Sequence, residues 1–167
     1  MPLIRPAQSS DIPAITDIYN EAGVGTTASY ALEPVTVDNR REWWRRLTAA
    51  DCPVLVLEDD GHVVGFASYA QFRPLAGYAH TMEHSVYIRS GRRSSGAGRM
   101  LMQALLDYAR GRGVHVMVGV VDGANEDSLA FHRKLGFEES GRLPEVGRKF
   151  GRWLDVVFMT RILDDSH

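Results

Sequence analysis

Cysteine is nearly missing from this chain. Cys52 stands alone among 167 residues, so no internal disulfide can form and no Cys-rich zinc site can be assembled. So little cysteine fits a reducing compartment. Cys52 itself, just before Pro53, reads as a small residue at a strand entry rather than as a catalytic thiol. Long apolar runs are missing too: no stretch approaches the ~20 residues that a membrane-spanning helix needs. The segment Met1-Pro2-Leu3-Ile4-Arg5-Pro6 lacks a basic start followed by an apolar stretch. No signal peptide is therefore expected, and the cytoplasm is the expected location. There is no surplus of positive charge either, with 19 basic residues against 21 acidic ones and a formal net charge of −2. A nucleic-acid binder concentrates basic residues on a face, and here only Arg92, Arg93 and Arg99 gather around a motif. Neither nucleic acid nor a membrane is an expected partner. His62, His80, His84 and His115 show no metal-ligand grouping, and no metal is expected.

What remains is ordinary for a soluble globular protein, with 44% hydrophobic and 24% charged residues. The length suits one compact domain over residues 1–167 with a proper core. Leu3 to Arg5 reads as a short strand, and Ser9-Ser10-Asp11 offers N-caps to a helix in which Ile12, Ile15, Ile18, Tyr19 and Ala22 recur at helical spacing. Gly23 is expected to stop it. A second amphipathic helix is expected from Thr36 to about Ala50. After Pro53 the period changes: Val54 to Leu57, a turn at Asp59-Asp60-Gly61, and Val63 to Tyr69 form a hairpin. A loop with Pro74 and Gly77 leads to a strand over Thr81 to Ile88. Leu101, Ala104, Leu105 and Tyr108 then mark a helix, closed by Gly111 and Gly113. Val114 to Val121 reads as a strand buried on both faces. A shorter helix is expected from near Asn125 to before Gly136, then strands over Phe137 to Gly141 and Trp153 to Ile162. The order β-α-α-β-β-β-α-β-α-β-β predicts a single mixed α/β domain, without repeats or linkers.

The segment Arg92-Arg93-Ser94-Ser95-Gly96-Ala97-Gly98 lies between a β-rich run and an amphipathic helix. Glycines there let successive backbone N–H groups turn towards one point and form an anion nest, and the helix start adds its partial positive charge. Alone, such a loop is equally readable as a plain turn. It is not a Walker loop, because no Gly-Lys-Ser/Thr follows, nor G-x-G-x-x-G, because Leu101 stands where the third glycine belongs.

Arg93-x-x-Gly96-x-Gly98 matches the Q/R-x-x-G-x-G/A signature of the GNAT acetyltransferases in its expected strand–loop–helix place. Further on, Asn125 and Phe131-His132-Arg133-Lys134-Leu135-Gly136-Phe137 resemble the family's second landmark, a helix ending in K-x-G-F. Glu83-His84-Ser85-Val86-Tyr87-Ile88, Tyr69-Ala70-Gln71-Phe72-Arg73-Pro74 and the segment Val146 to Asp155 are similar to the phosphinothricin and methionine sulfoximine or sulfone branch. The resemblance covers nearly the whole chain. It implies the GNAT fold, a central, mostly antiparallel twisted sheet flanked by helices, and acetyl transfer from acetyl-CoA to the nitrogen of a small amino-acid-like substrate.

Residue by residue, the resemblance implies that Arg93, Ser94, Ser95, Gly96, Ala97, Gly98 and Arg99 hold the CoA pyrophosphate, while Val86, Tyr87 and Ile88 pair through their backbone with the pantetheine arm. A backbone donor aimed at the thioester oxygen is worth roughly 3–4 kcal/mol in comparable sites. Asn125 is implied as helix N-cap and CoA contact together, with Ser128 on the same helix also at the cofactor. Glu83 is the implied general base, directly or through water; without the resemblance a solvated strand-edge glutamate is the favoured reading. Many relatives carry a tyrosine to protonate the departing thiolate where this chain has Phe131-His132, which leaves His132 either an acid or a packing residue. Phe72, Arg73, Glu83 and His84 are implied at the acceptor, with Arg73 able to fork onto a carboxylate or to be a surface arginine. Lys149, Phe150 and Trp153 fall where the branch forms a dimer interface, so a homodimer is expected by resemblance. The competing functions are a protein or peptide N-terminal acetyltransferase and a non-catalytic CoA-binding module.

Overall fold

The computed structural model describes residues 1–163. The strands are β1 (Leu3–Pro6), β2 (Val54–Asp59), β3 (His62–Gln71), β4 (Thr81–Ile88), β5 (Val116–Asp122), β6 (Glu138–Lys149) and β7 (Arg152–Ile162). The α-helices are α1 (Ile12–Ile18), α2 (Val37–Ala49), α3 (Ala97–Arg110) and α4 (Glu126–Lys134). The expected order of elements is therefore present. The fold falls into two compact units, Met1–Tyr69 with Ser85–Leu105, and Ala70–His84 with the chain from Leu106 onward.

In the first unit β2 pairs antiparallel with β1 and with β3. The β2–β3 hairpin turns through Asp60 at φ 51° and Gly61 at φ 78°, the left-handed pair that a tight hairpin requires. Ile12, Ile15, Ile18, Leu47, Val54, Val56 and Phe66 form one buried cluster, each large side chain worth roughly 1.5–3 kcal/mol of burial. Thr36 caps α2, its Oγ1 accepting from the Asn39 N–H at 3.1 Å. The first helix departs from expectation. Gly23 does not stop it; α1 passes at Ile18 into a π-helical turn, Tyr19–Val24, that contains Gly23. The glycine allows a close approach instead, since a Cβ there would stand 3.1 Å from the Tyr87 ring and 3.2 Å from that of Tyr19.

In the second unit the strand order is β4-β5-β7-β6. β4 and β5 are parallel, and β5–β7 and β7–β6 are antiparallel. The parallel register is short, Thr81 opposite Val116, Met82 opposite Met117 and Glu83 opposite Val118, while β4 itself runs on to Ile88. β5 is buried along most of its length, with Val120 the exposed exception. β6 extends well past Gly141, the expected end of its strand, to Lys149. Pro144 and two glycines interrupt its alternation, and the register shifts twice against β7. Bulges on an edge strand accommodate these residues. The second shift is pinned by Asp155, whose carboxylate accepts the Glu145 N–H at 2.8 Å.

Candidate active site

The glycine loop begins where β4 ends. The Arg92 N–H donates to the Arg89 carbonyl at 3.1 Å across a turn with Gly91 at φ 86°, a position where glycine is favoured. A single 3-10 turn, Arg93–Ser95, follows, and Gly96 at φ 83° sits immediately before α3. Arg93, Ser94, Ser95, Gly96 and Arg99 are exposed, Gly98 is half-buried, and Ala97 is buried. The first N–H groups of α3 have no intrahelical acceptor by construction, and nothing lies within 4 Å of the position a Gly96 Cβ would take. Backbone donors at a helix start and the exposed Arg93 and Arg99 thus lie in one short segment, the chemistry that a phosphate group calls for. Arg92 is spoken for by an ion pair with Asp59. Val86, Tyr87 and Ile88 are half-buried on β4. Tyr87 packs edge-on against Tyr19, with centroids 5.3 Å apart.

On the second unit, Phe72, Arg73 and Glu83 come together. The Phe72 N–H donates to the Thr81 carbonyl at 3.0 Å, and the Arg73 guanidinium lies 5.2 Å from the Phe72 ring centroid. Gln71, which the sequence had not singled out, fixes the loop: its side-chain amide donates to the carbonyls of Arg73 and Leu75 at 2.6 and 3.0 Å. Glu83 is half-buried, and burial pushes its carboxyl above the ordinary range, with the Arg73 charge opposing part of that rise. A carboxylate poised in this way is a better proton acceptor at neutral pH than a solvated one. Along β4, Glu83, Ser85 and Tyr87 share one face and His84, Val86 and Ile88 the other.

That other face leads to a buried pair of histidines. His84 and His132 are only 6% and 4% exposed; their rings stack, with centroids 5.1 Å apart. The Ser128 carbonyl lies 2.7 Å from His132 Nδ1, and a carbonyl can only accept, so Nδ1 carries the proton. In the neutral ring His132 Nε2 is then a lone pair, and the His84 Nε2–H must donate to it across 3.1 Å. His84 Nδ1 is left as a buried acceptor with no partner among the described residues, a state costing roughly 1–3 kcal/mol. Burial and the neighbouring ring push His84 down to about 3, and burial lowers His132 as well. Both rings are therefore uncharged at neutral pH. Gly119 on β5 makes room for them, because a Cβ there would fall 2.8 Å from Nε2 of each. A lone glycine inside a run of β-formers was the available signal for that close approach. Asn125 caps α4, its Oδ1 accepting from the Ser128 N–H at 3.1 Å. Among the described residues no group of side chains suits a metal ion, and no helix is long and apolar enough to cross a membrane.

Residues 12–137 match the Acetyltransferase (GNAT) family. The chain belongs to that family and is an N-acetyltransferase that uses acetyl-CoA. It is 47% identical to an L-methionine sulfoximine/L-methionine sulfone acetyltransferase of Pseudomonas aeruginosa, over 98% of this chain and 95% of that protein. It is 44% identical to an L-amino acid N-acyltransferase of Escherichia coli, over 97% of this chain and 94% of that one. The solved structure of a GNAT phosphinothricin acetyltransferase from Sinorhizobium meliloti, in complex with AcCoA, superposes with a TM-score of 0.94 at 33% identity, covering 98% of this chain and 89% of that chain.

Proposed function

We propose that this enzyme acetylates the amino or sulfoximine nitrogen of a small amino acid of the methionine sulfone, methionine sulfoximine or phosphinothricin kind, with the whole chain acting as one catalytic domain. The observation that carries the reading is Glu83, a half-buried carboxylate with a raised pKa, close enough to Arg73 to feel its charge. An amino acid presents the complementary pair, a carboxylate for the Arg73 fork and an ammonium for Glu83. Phe72 supplies an apolar wall beside them, and His84 shapes the site from behind β4.

The attacking nitrogen must be neutral. Glu83 accepts its proton, directly or through water, and the freed lone pair bonds to the thioester carbonyl carbon. The C–S bond then breaks, its electron pair leaves with sulfur, and the nitrogen loses its second proton to the thiolate or to water, giving the amide and CoA. Val86, Tyr87 and Ile88 hold the pantetheine arm by backbone bonds, and the loop from Arg93 to Arg99 holds the pyrophosphate. Asn125 and Ser128 add polar contacts to the cofactor from the start of α4. His132 acts as a positioning residue: both its nitrogens are engaged inside the protein, so it orients His84, and the thiolate departs without a dedicated donor.

We further propose a cytoplasmic homodimer. Val146, Phe150 and Trp153 are exposed around the β6–β7 turn, and burial of such side chains against a second copy is favourable. Acetyl-CoA turnover across methionine sulfone, methionine sulfoximine, phosphinothricin, ordinary amino acids and N-terminal peptides tests the substrate class. Turnover confined to peptides would replace it with protein acetylation, and no turnover on any amine would leave a CoA-binding module.

A further inference from the structure

The π-helical turn Tyr19–Val24 meets the end of β4 and the first residues of the glycine loop at three consecutive points. Tyr19 packs edge-on against Tyr87. Gly23 lies so close to Tyr87 that a Cβ would stand 3.1 Å from its ring. Between them Glu21 reaches Ser90, its Oε1 accepting the Ser90 N–H at 2.6 Å. π-Helical turns cost regular hydrogen bonding and concentrate at functional sites; Tyr19, Glu21 and Gly23 of this one all reach the stretch Tyr87 to Ser90, while its Asn20 side chain holds Val35.

Ser90 occupies the turn that launches the glycine loop. The Arg92 N–H closes that turn on the Arg89 carbonyl, while the Ser90 N–H points elsewhere and is taken by Glu21. Two carboxylates thus hold the loop from outside, Glu21 on the Ser90 backbone and Asp59 on the Arg92 guanidinium. Both are held below the ordinary carboxylate range, Glu21 by its hydrogen bonds from Ser90 with Arg89 and Arg93 nearby, and Asp59 by Arg92. They are ionised throughout the neutral range, so the hold does not switch off there.

We propose that Glu21 is a positioning residue for the cofactor: the latch that keeps the loop in its anion-binding shape before acetyl-CoA arrives. This rests on the reading that the loop from Arg93 to Arg99 takes the pyrophosphate. Two effects of Glu21 oppose each other. Its hydrogen bond to a backbone N–H fixes the loop at short range. Its negative charge, near Arg93, repels an incoming phosphate, but through solvent at an exposed position, where salt screens it. The short-range bond wins, and the loop is preorganised at a small electrostatic cost.

Calorimetric titration of CoA into the full-length protein and its Glu21→Ala, Glu21→Gln and Gly98→Val variants tests this. Glu21→Ala is expected to weaken CoA binding by about tenfold, in line with a lost hydrogen bond to a charged group. Glu21→Gln keeps an acceptor oxygen and should recover part of that loss. In turnover the effect should fall on KM for acetyl-CoA rather than on kcat or on KM for the acceptor. The amide proton of Ser90 should move upfield in cofactor-free Glu21→Ala and stay in place in Gly98→Val. CoA binding by Glu21→Ala as tight as wild type, or tighter, overturns the latch. Unimpaired binding by folded Gly98→Val overturns instead the assignment of the loop to the pyrophosphate.

Discussion

The loop around Gly96 and the β4 segment around Glu83 and His84 treat charge in opposite ways. At the loop charge is kept: Arg93 and Arg99 are exposed, Arg92 pairs with Asp59, and Glu21 is held below its ordinary pKa by its bonds from Ser90. Around β4 and α4 burial dominates: it raises Glu83, lowers His132 and brings His84 down to about 3. In the proposed mechanism one region keeps charge to capture an anion that arrives charged. The other suppresses charge so that a proton can move, since a carboxylate whose pKa burial has raised takes a proton from an ammonium at less cost than a solvated one. Binding and chemistry thus get different dielectric surroundings from one chain.

The sharpest way to break this contrast is Glu83→Gln, which keeps the shape and deletes the base. Turnover should fall by roughly 10²–10⁴-fold at neutral pH, with acetyl-CoA affinity unchanged by calorimetry. Because more substrate is already neutral as pH approaches the amine's own pKa, the deficit should shrink on going alkaline. An equal loss at every pH would make Glu83 a substrate holder.

Arg73→Ala comes next. Loss of a charge-assisted contact worth roughly 1.5–3 kcal/mol raises KM for the acceptor by one to two decades, and Arg73→Lys restores only part because the fork is lost. The same variant sharpens the electrostatic argument. Arg73 opposes part of the rise that burial gives Glu83, so removing it should move the acid limb of the kcat/KM profile to higher pH. A limb that stays put would detach the arginine from the base.

The histidine pair supplies a smaller, structural effect. The folded state keeps His84 neutral down to about pH 3, whereas an unfolded chain protonates it near 6.5. Between those values the unfolded state binds more protons, so stability present above about pH 6.5 is lost on acidification, by at most about 1.4 kcal/mol per pH unit for one such group. Thermal melts from pH 7 to 4 should show the slope, and His84→Gln with His132→Gln should flatten it.

Much of this was legible before any coordinates. Thr81–Ile88 has the expected bounds, because a loop with Pro74 and Gly77 on one side and Gly91 on the other leaves β-formers with nowhere else to go. The glycine loop was legible because backbone sites announce themselves through glycine spacing. Sites made by side chains meeting across the fold do not. Nothing near Gln71 or Glu21 in the sequence names the carbonyls or the N–H that they reach. The π-helical turn was hidden because Gly23 has the usual signature of a helix stop, and the signal came from its neighbour in space, Tyr87. The full length of β6 is not legible because Pro144 and the glycines mimic a loop, when they serve bulges on an edge.

Gly119 has a consequence for anyone who wishes to change the acceptor range. Every amino-acid replacement of a glycine adds at least a methyl group, and here that methyl would land 2.8 Å from two buried ring nitrogens at once. In a saturation library this position should behave as a fixed point, nearly empty of survivors, because of the two rings packed against it. Replacements at Phe72 and Arg73, on a loop held by Gln71, should leave the fold in place and act on acceptor binding instead. The evolvable part of the enzyme and the frozen part lie within one unit, and a library spent on β5 would be spent on scaffolding.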